Sequence, residues 1–392
     1  MSTHLPHIPD WKTVKLGEVT EIIKGGTPSR NVGKYFRGNI AWAIPSDITA
    51  LDSFLYIDDT ETHITEEALS NSAARLLPAG TVLLTSRATI GETAIATVPM
   101  ATNQGFANFI CREALLNVFL AYYLRYIKEK LNDLASGSTF KEVTKRTLLN
   151  IEIPLPPLSE QRAIAEALSD VDGLLNALEA LIAKKQAIKQ AVMQQLLTGK
   201  TRLLGFSGAW ETKRLGEIAK IQKGSLITEK NVVPGAIPVI AGGQKPAYFH
   251  NTANRTGKTI TVSGSGAYAG FVALHNRPIF ASDCSTISES PSFSIDFIYY
   301  YLVYNQNTIY KAQTGGAQPH VHPVDLMPLQ VDLPPLPEQE AIASVLSDMD
   351  AGIAALEQRR DKTRAIKQGM MQQLLTGRVR LSESRICTDD TD

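Results

Sequence analysis

Glycine-marked polar loops hold most of the side chains in this sequence that could do chemistry. Lys24, Gly26, Thr27, Ser29 and Arg30 fall in one loop, Ser86, Arg87 and Thr89 in a second, Asn103 and Gln104 in a third, and Ser138, Thr139 and Lys141 in a fourth. The second half of the chain has Lys223 and Ser225, Gln244 and Lys245, Ser263 and Ser265, and Gln318 and His320. Ser, Thr, Asn, Gln, Lys and Arg on glycine turns are the types that bond phosphate oxygens and base edges. The same composition describes an ordinary solvated loop. Arg87 and Gln104 stand apart because they sit beside expected strand ends, where a scaffold can hold them rigid.

Covalent and cofactor chemistry find little support. The sequence contains no G-x-x-x-x-G-K-[ST] phosphate loop, no G-x-S-x-G nucleophile elbow and no Asn-Pro-Pro-Tyr motif of an adenine methyltransferase. Gly264-Ser265-Gly266-Ala267-Tyr268-Ala269 mimics a dinucleotide fingerprint, but strand-like Phe271-Val272-Ala273-Leu274 follows it where a helix is required. His320 and His322 lack the nearby cysteine or carboxylate cluster that a metal centre needs, so no metal site is expected. Cys111, Cys284 and Cys387 lie far apart with no C-x-x-C pair, which speaks against a disulfide framework. With no signal-peptide pattern at Met1–Pro6 and no apolar run of about 18 residues, the expectation is a cytoplasmic protein in a reducing compartment.

The elements that must position these loops come in two copies. Residues 154–203 lie on 332–381 without a gap at an offset of 178, with 30 identities in 50 positions. Residues 11–25 match 210–224 at an offset of 199, eight of fifteen identical, among them Trp11/Trp210 and Lys24/Lys223. The second copy is therefore 21 residues shorter between its opening motif and its Pro-rich motif. A long period occurring twice marks a duplicated unit rather than a solenoid. In the variable modules, 81–85 and 94–98 read as strands followed by a helix at about 115–134, and 259–262 and 270–274 as strands followed by a helix near 295–304.

Each repeated segment reads as one long helix, opened after Pro156-Pro157 or Pro334-Pro335 and stopped at Gly199 or Gly377. Ile164, Leu168, Val171, Leu175, Leu178 and Ile182, and in the second copy Ile342, Leu346, Met349, Ile353 and Leu356, form a three-and-four-spaced apolar seam. The seam slips near Lys185 and is expected to resume at Ile188, Val192 and Leu196, with Ile366, Met370 and Leu374 as counterparts in the second copy. About 40 residues make a rod of roughly 60 Å. About ten residues join Gly199 to Trp210 and reach at most roughly 35 Å. The following module has an expected radius of gyration near 14 Å, too compact to carry the chain back along the rod. The two helices are thus expected to run antiparallel, with a variable module at each end and a pseudo-twofold between them.

On these residues the chain resembles the DNA specificity subunits of type I restriction-modification systems. The resemblance rests on Ser138-Thr139-Phe140-Lys141-Glu142-Val143 leading into Leu155-Pro156-Pro157-Leu158-Ser159-Glu160-Gln161, and on Gly25-Gly26-Thr27-Pro28-Ser29, Ile44-Pro45-Ser46-Asp47 and Thr102-Asn103-Gln104-Gly105. It covers nearly the whole chain. The second module departs from it, with Ser225-Leu226-Ile227 and Asp283-Cys284-Ser285 at two of these places. The resemblance implies an α+β fold: target recognition domains at 1–155 and 201–333, spacer helices at 156–200 and 334–380, and a flexible tail at 381–392. It also implies a non-catalytic subunit that binds double-stranded DNA and docks two modification (methyltransferase) subunits, which restriction subunits with translocase and nuclease activity then join. S-adenosylmethionine, ATP and magnesium would belong to those partners.

Charge adds a constraint. Lys and Arg total 39 against 39 Asp and Glu; residues 1–150 carry 15 of each, and residues 201–330 carry 11 Lys and Arg against 7 Asp and Glu. Phosphate neutralisation supplies most non-specific DNA affinity, so the subunit alone is expected to bind DNA weakly, with its partners completing a positive channel. Two other classes compete with this reading. A coiled-coil scaffold would leave no footprint on DNA, and an S-adenosylmethionine-dependent enzyme would bind that cofactor as the purified chain.

Overall fold

The computed structural model describes residues 11–51, 54–135, 141–315 and 318–381. It divides into two compact units, one drawn from residues 1–180 and 357–392, the other from residues 181–356. Among the described residues no helix is long and apolar enough to cross a membrane.

In the first unit, strands Thr20–Lys24, Phe106–Cys111, Val82–Thr85, Thr93–Ala96 and Tyr56–Ile57 form one sheet in that spatial order. All neighbours pair antiparallel except the last, which adds parallel to Thr93–Ala96. Val82–Thr85 is buried throughout, as expected of a strand covered on both faces. Its alternation sends Val82 and Leu84 into a core with Phe109, Phe119 and Leu120, and Leu83 into another with Ala94, Ala96 and Phe106. A smaller sheet, His63–Ile64, Ile40–Ala43 and Ala101–Thr102, supplies Ala41 and Ala43 to that second core.

The helix expected over 115–134 is two helices, Asn117–Tyr126 and Lys128–Asp133. Ile127 breaks them by leaving the helical well at φ −90°, ψ 16°, which lets Leu131 pack into the core that holds Leu124. No proline or glycine marks the break. The second unit repeats it at Asn305, between Ile295–Tyr304 and Gln306–Lys311.

The second unit has a four-stranded sheet, Ile221–Lys223, Cys284–Ser288, Thr259–Ser263 and Val272–His275. Its register matches the first, with Thr261 opposite Ala273 where Leu83 faces Ala94. Among the described residues no strand corresponds to Tyr56–Ile57, which accounts for part of the 21-residue difference. Thr261, standing where the first unit has a buried leucine, bonds His275 Nε2 at 2.9 Å.

Both long helices have 39 residues, Leu158–Leu196 and Leu336–Leu374. Gln161 fixes one start by donating to the carbonyls of Ala114 and Pro156 and accepting from Leu116 N at 2.7 Å. Gln339 does the same with Pro334 and Ser294. Gly199 and Gly377 end the helices in the left-handed region at φ 66° and 72°, where a Cβ would be strained.

The expected seam is buried at Ile164, Leu168, Leu175, Leu178, Ile182, Ile342, Leu346 and Ile353, and half-buried at Val171, Met349 and Leu356. Past the slip it resumes at Leu196 and Leu374, which are buried, and partly at Val192 and Met370, which are half-buried, but not at Ile188 and Ile366, which are 41% and 50% exposed. One residue further on, Lys189 and Lys367 take the inward positions, because each meets an aspartate of the other helix, Asp350 and Asp172. Within the first unit, Glu160, Asp172 and Glu179 meet Arg380, Lys367 and Arg364 in reverse order, so the helix segments run antiparallel there. Within the second, Lys189 with Asp350 and Arg202 with Glu338 give the same sense.

Cys111 and Cys284 are free thiols, and burial pushes both up to about 12. The thiolate is the reactive form, so both thiols are expected to react slowly near neutral pH. Peptide mapping of the native protein after iodoacetamide treatment should find buried Cys284 unmodified and half-buried Cys111 labelled slowly at most, and rapid labelling of either would contradict this. Cys387 lies outside the described residues.

Candidate nucleic-acid interface

Strand Thr20–Lys24 delivers Lys24 to a sheet edge, and the chain then turns tightly over residues 102–103. Gly25 N donates to Phe106 O at 3.3 Å and Gly26 N to Thr102 O at 2.9 Å, while Trp42 Nε1 holds Gly26 O at 3.0 Å. Glycine is required here: a Cβ on Gly25 would come within 1.9 Å of Asn103 O, and one on Gly26 within 2.2 Å of Ala73 C. The next residue, Thr27, donates to Gln104 Oε1. Asn103 Oδ1 accepts from Gly105 N at 2.8 Å and shapes that turn.

The strand end at Thr85 joins the same cluster. Ser86 N and Oγ both donate to Gly105 O, at 2.7 and 3.1 Å. Val143 N donates to Ser86 O at 3.0 Å, and Arg87 pairs with Glu142 as an isolated antiparallel bridge. Ala88, at φ 59°, is the one non-glycine residue in the left-handed region among those described, and it turns the chain directly after Arg87. Four segments far apart in sequence thus bring Lys24, Thr27, Arg87, Gln104 and Glu142 together. Glu142 Oε1 lies 2.7 Å from Lys24 Nζ, and Oε2 lies 2.8 Å from Arg87 Nε and 2.6 Å from Arg87 Nη2. Burial alone would raise the Glu142 carboxyl, but the bonds from Lys24 and Arg87 outweigh it and hold it below the usual glutamate range.

Several residues expected at this surface have other positions. Ser86 and Ser263 are buried, so their hydroxyls stiffen strand ends and do not face solvent. Gly26 is buried as well, consistent with its role in the turn. Ser29, Arg30, Thr89 and Lys141 are exposed beside the cluster, with Arg30 lining a cavity of about 590 Å³ with Phe36, Trp42 and His63. Ser138 and Thr139 lie outside the described residues.

The second unit uses the same backbone frame with other side chains. Gly224 N donates to Cys284 O and Ser225 N to Ala281 O, at 2.8 and 2.9 Å. Val321 N donates to Gly264 O at 3.0 Å, and Ser265 pairs with His320 as an isolated bridge, the place held by Arg87 and Glu142 in the first unit. Ser265 Oγ donates to Asp283. Lys223, Ser225 and Gln318 are exposed. Gln244 and Lys245 sit apart on a loop lining a cavity of about 130 Å³ with Thr261, His275 and Arg277. The His320 and His322 rings stack with centroids 5.8 Å apart.

Sequence reasoning missed the polar groups that tie each module to its helices. In the first unit Tyr122 Oη donates to Asp172 at 2.7 Å, and Lys367, paired with that aspartate, lies over the Tyr122 ring at 5.4 Å. In the second, Tyr300, Asp350 and Lys189 repeat the set, with a 2.9 Å tyrosine bond and a 5.3 Å ring contact. Burial pushes both tyrosine hydroxyls up. A second set joins Trp11, Glu160 and Arg380, where Trp11 Nε1 donates at 3.0 Å and Arg380 binds the carboxylate through two nitrogens. Trp210, Glu338 and Arg202 form its counterpart, but Trp210 Nε1 is buried without a hydrogen-bond partner. Identity across the repeat at polar positions was the available signal. Arg255, which reaches Thr286 and the Lys223 carbonyl, had none.

Residues 9–190 and 208–364 match the family described as type I restriction modification DNA specificity domain. Among curated relatives the chain is similar to the type I restriction enzyme MjaIX specificity subunit of Methanocaldococcus jannaschii, 35% identical over 59% of this chain and 56% of that one. That match thus spans about half of the relative's length. The chain is also similar to the MjaVIII specificity subunit of the same organism, 24% identical over 95% of this chain and 93% of that one. Among solved structures it is similar to a type I restriction-modification S subunit from M. genitalium, with a TM-score of 0.64 at 17% identity, covering 93% and 96% of the two chains. At that identity the likeness is one of fold.

Proposed function

The chain belongs to the type I restriction modification DNA specificity family, and on that premise we propose that each of its two modules reads one half of a bipartite, asymmetric DNA target. One observation carries the reading. The same strand-end frame is built twice, holding Lys24, Arg87, Gln104 and Glu142 in one unit and Lys223, Ser265, Asp283 and His320 in the other. A common frame with unlike side chains is what two readers of unlike sequences require, because backbone contacts position a protein on DNA while side chains at base edges select the sequence.

Specificity subunits of this family are not catalytic. The reactions belong to partners: two methyltransferase subunits docked on the helices and modules, and restriction subunits that join them. S-adenosylmethionine, ATP and magnesium act on those subunits. The paired helices set the distance between the two half-sites.

Four residues inserted into the helix between 160 and 197, about one turn, add roughly 6 Å. That is close to two base steps at about 3.4 Å each. Sequencing of methylated sites in cells expressing the variant with its partners should show the same two half-sites about two base pairs further apart. An unchanged spacer with altered half-sites would refute the assignment of spacing to the helices.

A further inference from the structure

The Arg87 guanidinium presents five N–H groups in a planar fork. Its side edge, Nε and Nη2, is held by Glu142 Oε2 at 2.8 and 2.6 Å. The end-on edge, formed by Nη1 and the outer hydrogen of Nη2, points away from that carboxylate, and this is an edge that can pair with guanine O6 and N7. The other carboxylate oxygen holds Lys24 Nζ at 2.7 Å. Glu142 is itself only 19% exposed, whereas Arg87 and Lys24 are 43% and 44% exposed. Its backbone is fixed to the strand end that carries Arg87, through the Arg87–Glu142 bridge and the bond from Val143 N to Ser86 O.

We propose that Glu142 is a positioning residue for sequence reading by the first unit: it turns two mobile phosphate-neutralising cations into one pre-aimed base reader, with Arg87 directed at a guanine edge. This inference deepens the recognition reading and rests on it. A free arginine at a DNA surface settles on whichever phosphate is nearest and adds affinity without selection. An arginine clamped along one edge loses that freedom before DNA arrives and keeps a single planar approach to a base. The carboxylate also reduces the local charge from two cations to a net of one, which suits a module with equal numbers of acidic and basic residues. In the second unit the same bridge joins Ser265 to His320, so the effect belongs to one half-site only.

The test uses the chain in complex with its methyltransferase partners. Methylated-site sequencing of the wild-type complex first defines both half-sites, and duplex oligonucleotides with each base at every position are then compared from about 50 to 200 mM salt. Glu142→Gln should lower discrimination at one guanine of the first half-site by roughly tenfold or more. It should steepen the slope of log affinity against log salt by about one to two as the cations turn to phosphates, and leave the second half-site unchanged. Glu142→Asp should restore part of the discrimination. Arg87→Lys should abolish it, and Glu142→Gln should then add nothing further. Unchanged base preference and salt slope in Glu142→Gln would overturn the proposal, as would equal losses at both half-sites or additive losses with Arg87→Lys. A wild-type complex that reads no sequence through its first unit would instead overturn the recognition reading, and the role of Glu142 with it.

Discussion

Asp172→Asn is expected to destabilise the unit drawn from residues 1–180 and 357–392 by about 3–5 kcal/mol at pH 7, the usual cost of breaking a buried ion pair from one side. Asp172 and Lys367 are 9% and 12% exposed, and the aspartate also accepts from Tyr122. Removing its charge leaves an ammonium in a site whose burial already lowers Lys367 below the usual lysine range, against the pull of Asp172. The sign of the pH dependence follows. A lysine depressed in the folded state is protonated more readily in the unfolded chain, so stability rises with pH and the penalty is complete below the folded value. Loss of the aspartate deepens that depression, so part of the deficit should return between pH 7 and pH 10. Urea unfolding across this range checks it. Replacing both residues with leucine should recover most of the loss, since a well-packed apolar pair is often as stable as a buried ion pair. A variant within about 1 kcal/mol of wild type, or a deficit indifferent to pH, would contradict the role given to this pair.

Exchanging residues 210–330 for the equivalent span of another family member is expected to replace one half of the recognised sequence and leave the other untouched. Specific DNA binding exceeds non-specific binding by roughly a thousandfold or more, so the original half should lose essentially all of its selection. The structure sets a condition on the donor. It must supply a tryptophan at position 210 to meet Arg202 and a tyrosine at position 300 to meet Asp350, because these residues seat the module on its helices. Methylated-site sequencing of the chimaera reads the outcome, and altered selection at both halves would argue against modular reading.

The features legible in the sequence were those set by local backbone chemistry and apolar spacing. Pro156-Pro157 and Gly199 bracket the first long helix because proline cannot continue a helix from upstream and glycine accepts the left-handed stop. The strands around Val82 and Thr259 stood out as short apolar runs. What escaped depends on partners distant in sequence. Lys189 and Lys367 look like surface residues on a helix, and only the opposing aspartates bring them inward in place of Ile188 and Ile366. The break at Ile127 carries no proline or glycine, since it answers to the packing of Leu131. Glu142 reads as an ordinary loop acid until the fold brings Lys24 and Arg87 to it. The second unit's frame carries fewer sequence marks than the first because Ser265 and His320 form its bridge where the first unit has Arg87 and Glu142.

Sequencing the methylated positions in DNA from cells that express this chain with its methyltransferase partners bears most directly on two unlike readers held a fixed span apart. The expected pattern is two short, different sequences separated by a constant number of unspecified base pairs, changed at one half by the graft and at the spacer by the helix insertion. A single uninterrupted target, or two identical halves, would contradict it.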